Sequence, residues 1–263
     1  MTLLLLFAPC AFGQRVVNIL DRISKQKSPI EQVDSFNKSG YDILFTNPGE
    51  ARILFSEAQS IASENKYWSG LALALKYKAI SYDVQGNANE AINHYLQALP
   101  ILEKLQDTIG VARLKNNIGI AYKNLNDFRS ATKYYDESIH LKRLMHDRRG
   151  AAYGYNNLGE LKILQHHYEE ALPFFDRAFS ILDSIQDLTG TATVLSNIGD
   201  VYLRLGDYKK SLEFTLKAKK IEEKEKNDVN KAASFLQLAK GYYRLGQATY
   251  AERMLDSAEY LAA

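Results

Sequence analysis

The chain has 263 residues, of which 46% are hydrophobic, 24% charged and 11% aromatic; 33 basic side chains face 31 acidic ones, for a net charge of +2. Only 5 prolines and 15 glycines occur, which excludes low-complexity disorder, and the near cancellation of charge argues against nucleic-acid binding by bulk electrostatics. A single cysteine, Cys10, excludes a disulfide framework and any cysteine-based zinc or iron–sulfur centre.

Residues 2–13 form an uncharged, apolar run from Thr2 to Gly13. It falls short of the roughly 20 residues that span a bilayer and fits the central segment of a secretory signal peptide. Ala11 and Gly13 supply small residues at the −3 and −1 positions of a cleavage before Gln14. No Lys or Arg precedes the run, so the alternative is a buried N-terminal helix of a cytoplasmic protein. Phe7-Ala8-Pro9 is a poor context for lipidation of Cys10. The expectation is a signal peptide over 1–13, a linker over 14–26 and an exported, periplasmic product; a retained N-terminus would place it in the cytoplasm. No later stretch is long and apolar enough to cross a membrane, so the mature chain is expected to carry no transmembrane segment.

From residue 27 onward the sequence repeats every 40 residues. The triplets Asn117-Ile118-Gly119, Asn157-Leu158-Gly159 and Asn197-Ile198-Gly199 align, as do Asp107, Asp147 and Asp187 and the glycines Gly70, Gly110, Gly150 and Gly190. Three positions stay small through five units: Ala79, Gly119, Gly159, Gly199 and Ala239; Ala91, Ala131, Ala171, Ser211 and Ala251; Ala98, Ser138, Ala178, Ala218 and Ala258. The repeats are 67–106, 107–146, 147–186, 187–226 and 227–263. They follow a degenerate unit over 27–66 that matches only through Ala51, Phe55 and Ala58.

Within a unit the period is helical. Val194, Leu195, Ile198, Val201, Tyr202 and Leu205 recur at spacings of three and four. Gly206 suits a left-handed helix stop, Asp207 a cap for the next helix, and Asp107, Asp147 and Asp187 caps for the first helices. Each unit is therefore expected to be an antiparallel helix pair whose small residues mark close backbone approach. Pro100 and Pro173 fall inside predicted second helices, where kinks are expected.

This spacing resembles the tetratricopeptide repeat (TPR) family, whose pattern runs from a large residue through Leu-Gly and Tyr to Ala, an aromatic and Ala. The fourth unit supplies Leu195, Ile198-Gly199, Tyr202, Ser211, Thr215 and Ala218; the second supplies Lys115, Ile118-Gly119, Tyr122, Ala131, Tyr135 and Ser138. Lys162 replaces the Tyr, Lys78 the Leu and Lys115 the large residue. The 40-residue period is longer than the family's 34. It resembles exported bacterial proteins of Bacteroidota type, peptide-sensing regulators and the input regions of sensor kinases. The resemblance implies an all-α, right-handed TPR superhelix in which first helices line a concave groove suited to a peptide or partner helix.

Carried over position by position, the family's groove Asn falls on Asn117, Asn157 and Asn197. An amide both donates and accepts, so this column would pair with a peptide backbone; the alternative is that these residues hydrogen-bond within the solenoid. Tyr77 and Gln237 take the position in the first and fifth units. Other ligand positions of the family hold Lys76, Asp83, Arg113, Asn116, Lys123, Tyr153, Asn156, Glu160, Asp200, Arg204, Lys240, Tyr243 and Arg244. Bases outnumber acids there six to three, which points to a partner bearing carboxylates, with solvated surface charge as the alternative.

His166-His167 in a turn, and His94, His140 and His146 without zinc-protease spacing, give no metal or catalytic pattern. No phosphate loop, nucleophile elbow or kinase signature occurs. Glu222 to Lys226 reads as a solvated helix end, and Asn37-Lys38-Ser39 as a chance glycosylation sequon. No cofactor is implied. Three readings follow: an exported, non-catalytic TPR scaffold for a protein or peptide; the sensory part of a larger signalling protein such as a histidine kinase or DNA-binding regulator; and a cytoplasmic peptide-responsive regulator. In each, a ligand in the groove would act by favouring one pitch of an elastic solenoid.

Overall fold

The computed structural model describes residues 11–26, 28–224 and 228–262, and among them finds thirteen α-helices and no strand, in agreement with the all-α class. Helix α1 (Ala11–Ser24) precedes six helix pairs. These are α2 (Pro29–Ile43) with α3 (Pro48–Glu64), α4 (Trp68–Asp83) with α5 (Ala88–Lys104), and α6 (Thr108–Asn124) with α7 (Phe128–Leu144). Then come α8 (Arg148–Leu164) with α9 (Tyr168–Ser184), α10 (Leu188–Arg204) with α11 (Tyr208–Glu222), and α12 (Asp228–Arg244) with α13 (Ala248–Ala262). The chain forms two compact units, divided inside α7 between Tyr134 and Tyr135.

Residues 14–24, read from sequence as linker, are helical. Val16 and Ile23, two turns apart, bury on one face of α1, which packs on α2 and α3. The apolar segment 1–10 lies outside the described residues, and the expected cleavage point falls in the first turn of α1.

The connections repeat every 20 residues. Lys66, Gly86, Gln106, Asn126, His146, His166, Gln186, Gly206 and Gly246 all adopt positive φ, between 54° and 80°. The next amide then reaches back to the carbonyl five residues earlier, as Asp107 N does to Leu102 O at 3.0 Å and Asp207 N to Tyr202 O at 2.9 Å. At several of these turns that same residue caps the following helix, although Tyr67 and His167 make no side-chain cap bond. The side chains of Asp107, Asp147 and Asp187 accept from the amides of Gly110, Gly150 and Gly190, and Asp207 accepts from Lys210. Asn47 and Asn87 do the same for α3 and α5.

The small repeated positions are buried, and bulky neighbours explain them. A Cβ on Gly159 would sit 2.6 Å from Cε1 of Phe175, a ring with no exposure. Tyr95 and Tyr135, at the position of Phe175 in the two preceding repeats, are likewise fully buried. Helices α5 and α9 run unbroken for 17 residues with Pro100 and Pro173 inside them. A first-helix Tyr stacks on a second-helix ring twelve residues on, in Tyr82–His94, Tyr122–Tyr134 and Tyr202–Phe214, with centroids 5.5–5.6 Å apart. Where Lys162 replaces that Tyr, its ammonium turns to Glu170 at 2.6 Å.

First helices lie beside one another within each unit. Helix α4 touches α2 as well as α3 and α5, and α10 touches α8 and α12 as well as α9 and α11.

Candidate functional site

In the first unit, α4 and α6 bring Lys76 and Arg113 together. Lys76 is half-buried, with its ammonium 4.6 Å from the centre of the Tyr77 ring. Burial pushes its pKa down and the nearby Arg113 guanidinium pushes it further, against a smaller opposing pull from Asp107. Neither cation forms an ion pair among the described residues. Beside them Tyr41 of α2 packs on Tyr77 at 5.0 Å and on Phe45 at 6.4 Å. Phe45 is 65% exposed and Tyr41 48%. Sequence reasoning missed both aromatics. They lie in the degenerate unit, where no repeat register singles them out.

A polar network crosses the three helices α4, α5 and α6. The Tyr95 hydroxyl donates to Asp83 Oδ2 at 3.0 Å, and the Asn117 side chain hydrogen-bonds Tyr95. Burial raises the Asp83 carboxyl to about 6 against the opposing effect of the Tyr95 bond. Burial likewise drives the Tyr95 phenol far above its usual range, and Asp83 adds to the shift. Asn116 and Lys123 sit half-buried on α6.

In the second unit the first helices are laced together at a 41-residue spacing. Asn197 donates through Nδ2 to Oδ1 of buried Asn156 at 2.9 Å, and Asn156 donates to Glu160 at 2.8 Å. Ser196 Oγ donates to Gln237 Oε1 at 3.0 Å, and Gln237 Nε2 returns a bond to the Ser196 carbonyl at 3.0 Å. The Tyr153 hydroxyl donates to Asp187 Oδ2 at 3.1 Å, and the same oxygen takes Arg149 Nε at 2.6 Å. Burial alone would raise the Asp187 pKa. The bonds from the Gly190 amide, Arg149 and Tyr153 outweigh it and hold the carboxyl below its usual range.

The structure thus brings together Lys76 with Arg113, Asp83 with Asn117, and Asn156 and Glu160 with Asn197. Asp200 pairs with Arg204 at 2.7 Å, and Arg204 lies 5.9 Å from the Tyr168 ring. Lys240, Tyr243 and Arg244 stand exposed at the end of α12, apart from these groups. Asn157 is half-buried on α8. Asn117 and Asn197 each spend part of their amide on a neighbouring helix, which is the intramolecular alternative for the asparagine column. Each of these bonds uses one carbonyl or NH₂ group of the amide.

His166 Nδ1 lies 2.9 Å from the Tyr168 hydroxyl, and His167 3.5 Å from Glu170. Among the described residues no group of three or more His, Cys, Asp or Glu side chains converges on a metal-sized site. No described helix is long and apolar enough to cross a membrane.

Two tetratricopeptide repeat family models match the chain, one over residues 190–259 and one over residues 111–146. No curated protein matches it. Solved structures share the fold at low identity. A signal transduction ATPase of the STAND class with a tetratricopeptide repeat sensor, from Pyrococcus horikoshii, aligns with a TM-score of 0.76 at 14% identity, over 95% of this chain and 39% of that one. The apo form of RapI gives 0.72 at 15% identity over 95% and 90% of the two chains. The apo quorum sensor NprR from B. thuringiensis gives 0.67 at 14% identity over 95% and 70%. The family matches and the structural neighbours support the tetratricopeptide repeat family, and the neighbours share an all-α solenoid of stacked helix pairs.

Proposed function

We propose that the chain is a non-catalytic scaffold that binds an extended peptide or partner helix along its first helices. The observation that carries this reading is the Lys76–Arg113 pair: two cations on neighbouring first helices, close enough for Arg113 to depress the Lys76 pKa, with no ion pair among the described residues and with the exposed Tyr41 and Phe45 rings alongside. Such a face suits a peptide with a carboxylate next to an apolar side chain. Asn117, Asn157 and Asn197, with Asn116, Lys123, Tyr153, Asn156, Asp200, Arg204, Lys240, Tyr243 and Arg244, are proposed to extend it as backbone and side-chain contacts.

The test is fluorescence anisotropy with a panel of labelled acidic, neutral and basic peptides. Acidic peptides should bind at least tenfold tighter than basic ones, and Lys76→Ala/Arg113→Ala should remove the difference. Saturable binding by no peptide, or binding indifferent to the double variant, would overturn the reading. Ligand action through a change of solenoid pitch predicts a changed radius of gyration in X-ray scattering, and an unchanged radius would reject it.

Export belongs to the same proposal and rests on the apolar run 2–13 with Ala11 and Gly13 at the cleavage point. Gly13, Gln14 and Arg15 are exposed on α1. A mature N-terminus at Gln14 in an envelope fraction would support it; an intact N-terminus in the cytoplasm would refute it. The sensor reading is kept as a second one because the signal transduction ATPase above carries its tetratricopeptide repeats as a sensor.

A further inference from the structure

The geometry points to a phosphate-sized anion site in the second unit, in a cavity of about 180 Å³ between the α7–α8 turn and α9, held by Arg143, Arg148 and Arg177 with His146 at its edge. The three arginines that line it come from three elements: the last turn of α7, the first turn of α8 and the middle of α9. Two of them are oriented by neutral contacts. The Arg177 guanidinium lies over the Tyr155 ring, 4.6 Å from its centre, and Arg148 Nη2 donates to the Ser184 hydroxyl at 2.8 Å. None of the three forms an ion pair among the described residues. Asp147 is the carboxylate that lines the cavity, and it is committed as the cap of α8, accepting from the Gly150 amide at 2.8 Å.

The repeat does not impose this cluster. Forty residues away in either direction, Arg143 corresponds to Glu103 and Asp183, Arg148 to Thr108 and Leu188, and Arg177 to Glu137 and Lys217. Two of the three positions carry acids in a neighbouring repeat, and of the six counterparts Lys217 alone is basic, so no adjacent repeat brings three cations together here. Three planar forks around one cavity match the tetrahedral oxygens of a phosphoryl group better than a single carboxylate, because each guanidinium can donate two parallel bonds. A cavity of this volume has room for one such group. The ligand chemistry is therefore a phosphate dianion, free or as a monoester.

The test is calorimetric titration of the full chain with inorganic phosphate, methyl phosphate, acetate and chloride at fixed ionic strength and neutral pH. Phosphate or its monoester should bind at one site, at least tenfold tighter than acetate. Arg143→Gln/Arg177→Gln should weaken it at least tenfold, with the single variants intermediate and the distant Arg253→Gln unchanged. Circular dichroism checks that the variants fold, and the single variants carry the test if the double does not. Tighter binding of methyl phosphate than of inorganic phosphate assigns the site to a phosphorylated partner; the reverse assigns it to the free ion. Equal and weak binding of all four anions, or binding untouched by the arginine variants, would show solvated surface charge only and overturn the site.

Discussion

Asp187 performs a second task beside the helix capping it shares with Asp107 and Asp147. Its Oδ1 caps α10 by accepting from the Gly190 amide, and its Oδ2 receives the Tyr153 hydroxyl and Arg149 from the preceding repeat. Replacing it with Ala removes a cap worth about 1 kcal/mol. It also leaves the half-buried Tyr153 hydroxyl without its acceptor, at about 1 kcal/mol more. The Arg149 guanidinium is solvated and adds little. The sum is about 2 kcal/mol, against about 1 for Asp107→Ala, which loses a cap through Gly110. Asp187→Asn keeps a capping oxygen and should cost less than Asp187→Ala. At roughly 2–4 °C per kcal/mol for a chain of this size, thermal melts followed by circular dichroism should separate the three variants. The carboxyl's depressed pKa gives a second signature. Its contribution is present above the ordinary carboxylate range and is lost as pH falls through the folded value, so acid should narrow the gap between wild type and Asp187→Asn. Equal losses for Asp187→Ala and Asp107→Ala would refute the claim that this residue ties neighbouring repeats.

Three further outcomes are expected. Gly159→Ala places a methyl group against the buried Phe175 ring and should cost about 1–3 kcal/mol, with partial rescue by Phe175→Leu; a neutral effect in a urea melt would show that the ring yields freely. Asp83 keeps a proton up to about pH 6 when folded but releases it near 4 when unfolded, so its contribution to stability falls as pH rises through that window. Solvent access holds the effect to the order of 1 kcal/mol, and melting temperatures at pH 4.5 and 7 should differ less in Asp83→Asn; an identical difference would reject the assignment. Asn197→Ala should leave the buried Asn156 carbonyl without its donor and cost about 1–2 kcal/mol, a loss that Asn197→Asp, with no NH₂ to offer, should share. If instead Asn197→Ala weakens peptide binding with the melt unchanged, the residue faces ligand rather than its neighbour.

Much of this fold could be read from residues alone because its punctuation is chemical. Asp107, Asp147, Asp187 and Asp207 cap helices as expected, and Gly206 takes the left-handed turn at φ 80°. The turns at Lys66, Gln106, His146 and Gln186 escaped notice because these residues adopt the same conformation without being glycine, as Asn126 and His166 also do. Their strain is local, and the 6→1 bonds around them offset it, so no residue type announces them. Helix α1 was hidden by the apolar run before it, which made the following segment look like a spacer. The candidate site was less legible. Position within the repeat places a side chain on a helix, but Asn197, Asn117 and Tyr153 turn to partners in an adjoining repeat, whose identity the residue's own repeat does not record. The Lys76–Arg113 pair and the arginine cavity arise from residues 37 and 34 positions apart, a spacing that no local motif records.

The hydrogen bonds described between helices reach no further than 41 residues along the chain. Each helix pair therefore needs only its immediate predecessor to complete its contacts. Loop closure stays cheap at every step, and ordering can begin in any pair and spread in either direction. A chain threaded through a membrane pore as an extended strand, amino end first, would find each emerging pair ready to dock on the one already outside. Folding on the far side would then keep pace with delivery and draw the rest of the chain across.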